Sequence, residues 1–106
     1  MIIKEMNPGA KIPYETDEKR ITFDDDLTIN LSKREEDWPV HIDVCYDLDQ
    51  NLVIGATNGN AYVAQIDIPA RQYTEEQAEE YGETVTKKVP VPFSMDGVTL
   101  SLFSVE

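Results

Sequence analysis

Residues 40–68 read VHIDVCYDLDQNLVIGATNGNAYVAQIDI, and through this stretch one apolar alternation survives two turns. Val40, Ile42, Val44, Tyr46, Leu48, Leu52, Ile54, Ala56, Tyr62, Ala64, Ile66 and Ile68 all hold even positions. Side chains along a strand alternate between faces, so a shared parity is what one buried sheet face requires. The pattern predicts an antiparallel meander. Pairing Leu48 with Leu52 around Asp49-Gln50-Asn51 sets Tyr46 opposite Ile54 and Val44 opposite Ala56. A two-residue turn at Gln50-Asn51 would send Leu52 and Ile54 outward, so the expectation is a three-residue loop with Asn51 in the left-handed conformation. Asn58-Gly59-Asn60 likewise pairs Ala56 with Tyr62, Ile54 with Ala64 and Leu52 with Ile66.

Before the meander, Ile21, Phe23, Leu27, Ile29 and Leu31 are all odd, and the run Asp24-Asp25-Asp26 interrupts them. Three adjacent carboxylates repel, and Asp bonds readily to nearby backbone N–H groups, so a tight turn joining two strands is expected there. Met1–Met6 reads as a short strand before the turn Asn7-Pro8-Gly9, Ile12-Pro13-Tyr14 as an extended piece, and Lys33–Asp37 as a charged loop.

After the meander, Thr74 has the features of a helix N-cap, with Gln77 at the capping-box position, Tyr73 placed to staple onto Ala78, and Gly82 as the stop. A short helix over Thr74–Tyr81 is expected. It is a weak one, because Glu75 faces Glu79 and Glu76 faces Glu80 at the spacing where like charges repel. At the C-terminus Asp96-Gly97 suits a two-residue hairpin turn, which would oppose Met95 to Val98, Phe93 to Leu100 and Val91 to Leu102. Pro90 and Pro92 then fall where the backbone nitrogen points away from the partner, which makes Val85–Met95 an edge strand. The expected fold is mainly β, an antiparallel sandwich or partly open barrel of about six or seven short strands with one short helix. Residues 1–106 form a single β-rich domain in this reading. Its core is the even-position meander set plus Val91, Phe93, Leu100 and Leu102.

Composition bounds the function. Asp and Glu number 21 against 9 Lys and Arg, a formal net charge of -12. A nucleic-acid binder concentrates basic residues in a stripe, whereas here they fall as scattered doublets at Lys19-Arg20, Lys33-Arg34 and Lys87-Lys88, so direct nucleic-acid binding is disfavoured. Cys45 stands alone, which rules out an internal disulfide and points to a reducing, cytoplasmic setting. The opening Met1-Ile2-Ile3-Lys4-Glu5 is too short and too quickly charged for a signal peptide. No apolar run is long enough to span a membrane.

His41, Asp43, Cys45 and Asp47 alternate with the apolar set and project from one strand face, the placement a metal or thiol site on a strand would use. With no second Cys or His to complete a zinc set, with carboxylates that would raise the thiol pKa and no Gly-rich turn beside Cys45, no catalytic, metal or cofactor role is expected. Asp47, Asp49 and Asn51 match the opening of a calcium loop, but Leu52 stands where the turn glycine belongs and no closing Glu follows. The expected function is therefore a small acidic non-enzymatic binding or accessory module that contacts another protein through sheet or loops. Trp38 and Tyr73 are candidate anchors beside the meander. The first alternative is an inhibitor that mimics nucleic acid toward a basic protein, with Glu75, Glu76, Glu79 and Glu80 as its carboxylate row. The second is a metal or thiol enzyme built on His41 and Cys45. Oligomeric state is open.

Overall fold

A computed structural model describes residues 1–55 and 61–105. The chain is mainly β. Among the described residues ten strands run in order: β1 (Ile2–Glu5), β2 (Tyr14–Thr16), β3 (Arg20–Phe23), β4 (Leu27–Asn30), β5 (Val40–Tyr46), β6 (Leu52–Ile54), β7 (Ala61–Ile68), β8 (Tyr73–Glu80), β9 (Glu83–Pro90) and β10 (Thr99–Leu102). That exceeds the six or seven expected, because a three-residue β2 forms where the sequence predicts only an extended piece and β8 occupies the segment assigned to the helix. The strands make a five-stranded sheet in the order β1-β10-β7-β5-β6, a three-stranded sheet β2-β3-β4, and a two-stranded ribbon β8-β9.

The first two sheets face each other across one core. Ile12, Ile21, Phe23, Ile29 and Leu31 on the side of the small sheet pack with Ile42, Val44, Val63, Ala64, Ile66, Ile68, Val98, Leu100 and Leu102 on the side of the large one. The small sheet forms as its sequence predicts: Ile21 pairs with Ile29 and Phe23 with Leu27, around the aspartate turn. Asp24 and Asp25 take left-handed φ values of 52° and 50°, which Asp tolerates better than most side chains. Asp17 fastens the β2–β3 link by accepting from the N–H groups of Lys19 and Arg20 at 2.8 and 2.7 Å. Those bonds and the Arg20 guanidinium hold its carboxyl below the usual range.

The large sheet departs from a meander. β7 pairs with β5, setting Val40 opposite Ile68, Ile42 opposite Ile66 and Val44 opposite Ala64, so neither Ala64 nor Ile66 faces Ile54 or Leu52. Ladder length explains the choice. β5 offers seven residues to the eight of β7, whereas β6 offers three and is left at the edge. The β5–β6 turn is longer than expected, because Tyr46 opposes Leu52 and Val44 opposes Ile54. Asp47 organises that turn by accepting from the N–H groups of Asp49 and Asn51, each at 2.9 Å, and Gln50, not Asn51, takes the left-handed position at φ 65°. Leu48 consequently lies in the turn, 80% exposed, and not in the core. The pairing expected between Ala56 and Tyr62, and the turn at Asn58-Gly59-Asn60, lie outside the described residues.

The β5–β7 register shifts between Val44 and Cys45, where Cys45 comes to face Tyr62 and Val63 is the extra residue. A bulge reverses the alternation of the strand that carries it. Val63 and Ala64 are therefore both buried, Cys45 is buried too, and Tyr62 is turned to the outer face, where its ring lies 5.9 Å from that of Phe103.

The expected C-terminal hairpin does not form. Residues 91–95 are not a strand, and Ser94 instead caps a 3₁₀ turn over Met95–Gly97 that ends with Val98 N–H donating to Met95 O. Both edges of β10 are then used elsewhere, antiparallel to β7 with Leu100 opposite Ile66, and parallel to β1 with Ile3 opposite Leu100. Of the two residues expected in the core, Phe93 packs partly buried against it, whereas Val91 is partly buried in the groove at the base of β8 and β9.

Nor does the helix form. Residues 73–80 and 83–90 are the two strands of a hairpin, turned by Tyr81 and Gly82 with φ values of 52° and 78°. As a helix this segment sets Glu against Glu. As a ribbon it sets Glu75 opposite Lys88 and Glu76 opposite Lys87, with Ala78 against Val85 and Thr74 against Val89, which replaces the two repulsions by two attractions and leaves Glu80 opposite Glu83 as a like pair beside the turn. The ribbon gives the molecule its extents of 64 × 23 × 21 Å.

Candidate protein-contact surface

The ribbon stands out from the sandwich as an arm, about 26 Å long at eight residues per strand. Its base is clamped by the loop that precedes β5. The Arg71 backbone N–H donates to Glu36 O at 2.8 Å, and its guanidinium donates to Glu35 O at 2.9 Å, Asp37 Oδ1 at 3.2 Å and Glu35 Oε1 at 3.4 Å. Tyr73 Oη donates to the same Asp37 Oδ1 at 2.5 Å. The Glu35-Glu36-Asp37 run thus pins the first residues of β8, and Trp38, 61% exposed, is held beside the clamp. A shallow groove of about 210 Å³ lies at this base, bounded by Pro69, Gln72, Val91 and Pro92 among others.

The phase of the arm's ladder follows from its lowest bond, Val91 N–H to Gln72 O at 2.8 Å. In an antiparallel pair, bonded and non-bonded positions alternate. Gln72 and Val91 being bonded, so are Thr74 with Val89, Glu76 with Lys87 and Ala78 with Val85, while Thr84, Thr86, Lys88 and Pro90 turn their backbone groups outward. Pro90 therefore sits where a missing N–H costs the ribbon nothing, as expected of an edge proline, although its partner strand is β8. No other described strand pairs with either outer edge of the arm.

The carboxylates singled out as a helical row are divided by the strand. Glu75 and Glu79 lie on one face of the ribbon and Glu76 and Glu80 on the other. Lysines oppose two of them, and Lys87 Nζ also forms an ion pair with Glu80. Over residues 73–90, five Glu against two Lys leave a net charge of -3, a quarter of the whole. Tyr73 bonds to Asp37, the residue before Trp38, so both candidate anchors belong to the base of the arm. The exposed aromatic that sequence reasoning passed over is Tyr81, 104% exposed at the tip. Its signal was the Tyr81-Gly82 pair ahead of the alternation Thr84-Val85-Thr86, which marks a hairpin turn as well as a helix stop.

The other polar cluster lies on the outer face of the large sheet. His41 Nδ1 meets Asp67 Oδ1 at 2.6 Å and Nε2 meets Asp43 Oδ1 at 2.8 Å, while Gln65 Nε2 donates to that same Asp43 oxygen at 3.1 Å. An imidazolium offers two N–H donors to these two carboxylates, so the bonds to Asp67 and then Asp43 raise the His41 pKa above 6.5, outweighing partial burial. Both ring nitrogens are thereby engaged. Cys45 is four residues along the strand, about 13 Å away by strand rise, fully buried, and burial pushes its thiol pKa up. The pair is too far apart for an imidazole to take the thiol proton. Among the described residues no three His, Cys, Asp or Glu side chains converge as a metal site, and no helix is long and apolar enough to cross a membrane. No protein-family model, curated protein or solved structure matches the chain.

Because the folded His41 pKa is raised, its contribution to stability is complete below about pH 6.5 and is lost as pH climbs through the raised value. The ring is 47% exposed, so solvent screening keeps that contribution to about 1 kcal/mol or less. Urea unfolding of parent and His41→Asn across pH 5 to 9 is expected to show a stability gap at the acid end that closes at the alkaline end. A gap that widens with pH would contradict the two-carboxylate clamp.

Proposed function

We propose that the chain is a small acidic binding or accessory module that makes its contact by adding the arm as strands to another protein, with Trp38 and Tyr73 at the base as anchors. One observation carries the reading: the arm is a two-stranded ribbon whose outer edges meet no other described strand. Isolated two-stranded ribbons are marginal in water, and a third strand or a packed face is what stabilises them. An open edge is also a template for strand addition, which supplies affinity through main-chain hydrogen bonds. The neutralising lysines favour this use of the arm over mimicry of a phosphate row.

The test is capture from native extract on immobilised parent, Thr86→Pro and Gln77→Pro. Each proline removes an outward N–H from one edge, Thr86 from β9 and Gln77 from β8, and leaves the ladder within the arm intact. The expected result is a protein retained by the parent at high salt and released by one of the two prolines. A partner held equally by all three forms would remove the arm from the contact. A basic partner released at moderate salt would move the reading to mimicry.

A further inference from the structure

We infer that the occupant of the β9 edge is the β9 edge of a second copy of this chain, so that two arms join as a four-stranded ribbon in the order β8-β9-β9-β8. This rests on the reading of the arm as a strand-adding element and names its partner. Charge decides between the two edges. β8 carries Glu75, Glu76, Glu79 and Glu80 and no basic residue, so any well-overlapped antiparallel pairing of β8 with itself sets carboxylate against carboxylate. β9 carries Glu83 near one end and Lys87 and Lys88 near the other, which is self-complementary when the strand is reversed.

Two antiparallel strands related by a two-fold axis normal to the ribbon must pair residues of like parity. The register that places Val85 opposite Val85 meets this condition and sets Glu83 opposite Lys87 of the second copy, twice by symmetry. It also sets Thr84 opposite Thr86 twice. Thr84 and Thr86 are outward-bonding positions, so these pairs exchange about four backbone hydrogen bonds. Val85 and Glu83–Lys87 then occupy non-bonded sites, where side chains approach closest. Centring on Lys87 instead would oppose like charges, and centring on Thr86 would leave Glu83 facing Val89 without an ion pair. In the chosen register Tyr81 comes level with Val89 of the second copy. Val91, which bounds the groove at the arm base, begins two residues further, about 7 Å along the strand. The most exposed aromatic side chain of the molecule thus gains an apolar landing site.

Sedimentation equilibrium of the full chain over an approximately hundredfold concentration range is expected to show a monomer–dimer equilibrium. Thr86→Pro should shift it to monomer, Gln77→Pro should leave it unchanged, and Glu83→Lys should raise the dimer dissociation constant about tenfold. In the dimer, hydrogen exchange at the amides of Thr84 and Thr86 should slow, while that at Gln77 stays fast. A monomer throughout, a dimer that survives Thr86→Pro, or one that dissociates in Gln77→Pro would each overturn the proposal. So would an open-ended ladder of larger species, the mark of head-to-tail pairing. Loss of self-pairing and loss of the arm reading are separable, because a foreign partner released only by Thr86→Pro would keep the arm as a contact and replace its occupant.

Discussion

Ile66→Ala is expected to destabilise the protein by about 2–5 kcal/mol, while Leu48→Ala changes stability by about 0.5 kcal/mol or less. Both residues belong to the same even-position series, and parity alone would treat them alike. Ile66 is fully buried and lies between Ile42 on one side and Leu100 on the other. Removing its side chain takes atoms out of the centre of the five-stranded sheet and leaves a cavity that neighbours on three strands cannot all collapse into. Leu48 belongs to the Asp47–Asn51 turn and has little to lose. Denaturant unfolding of the two variants reads the difference directly, and equal losses would restore Leu48 to the core and with it the shorter turn.

Arg71→Ala is the second large effect, about 2 kcal/mol, and it should be felt at one place. The guanidinium serves the Glu35 carbonyl, the Glu35 carboxylate and Asp37 together, and the Glu35 side chain is only 13% exposed. Truncation leaves that carboxylate short of its counter-charge, and a charged group in such a site loses more than an ordinary surface pair does. The bonds that fix the arm's direction go with it. Hydrogen exchange should accelerate through residues 73–90 well before it does in β5, β7 or β10, because among the described residues no strand of the sandwich pairs with the arm and the bonds that hold it are those at its base. If the whole molecule instead opened as one unit, the arm would have to be more deeply integrated than its two-stranded ribbon suggests. Arg71→Lys keeps the charge but not the fork and should recover only part of the loss.

Part of this architecture was legible in the sequence. Alternation is a statement about faces, and it placed Ile42, Val44, Ala64, Ile66 and Ile68 on the buried side. It does not say which strand is the neighbour, because pairing β7 with β5 or with β6 preserves the same parity. The deciding quantity was ladder length, and the short β6 lost. The Val63 bulge was invisible for a related reason, since one inserted residue turns Tyr62 outward without altering the composition of the strand. The aspartate turn was legible because its chemistry is local. The arm was not, because Thr74, Gln77 and Gly82 satisfy the rules for a capped helix as well as those for a ribbon. What separates the two is a pairing with Lys87 and Lys88 ten or more residues away, and a local rule cannot weigh it. The exposed aromatics shared that fate: Trp38 and Tyr73 stood out as aromatics beside loops, whereas Tyr81 was seen to lie at a tip only once the chain was found to reverse there.

The arm has one further consequence, for how the molecule moves through solvent. A folded chain of this length would ordinarily have a radius of gyration of about 13 Å, against the 18.0 Å found here. Drag grows with that elongation while mass does not. A single copy will therefore diffuse and elute like a larger globular protein, and a column calibrated with spheres would report a dimer whether or not two arms had met.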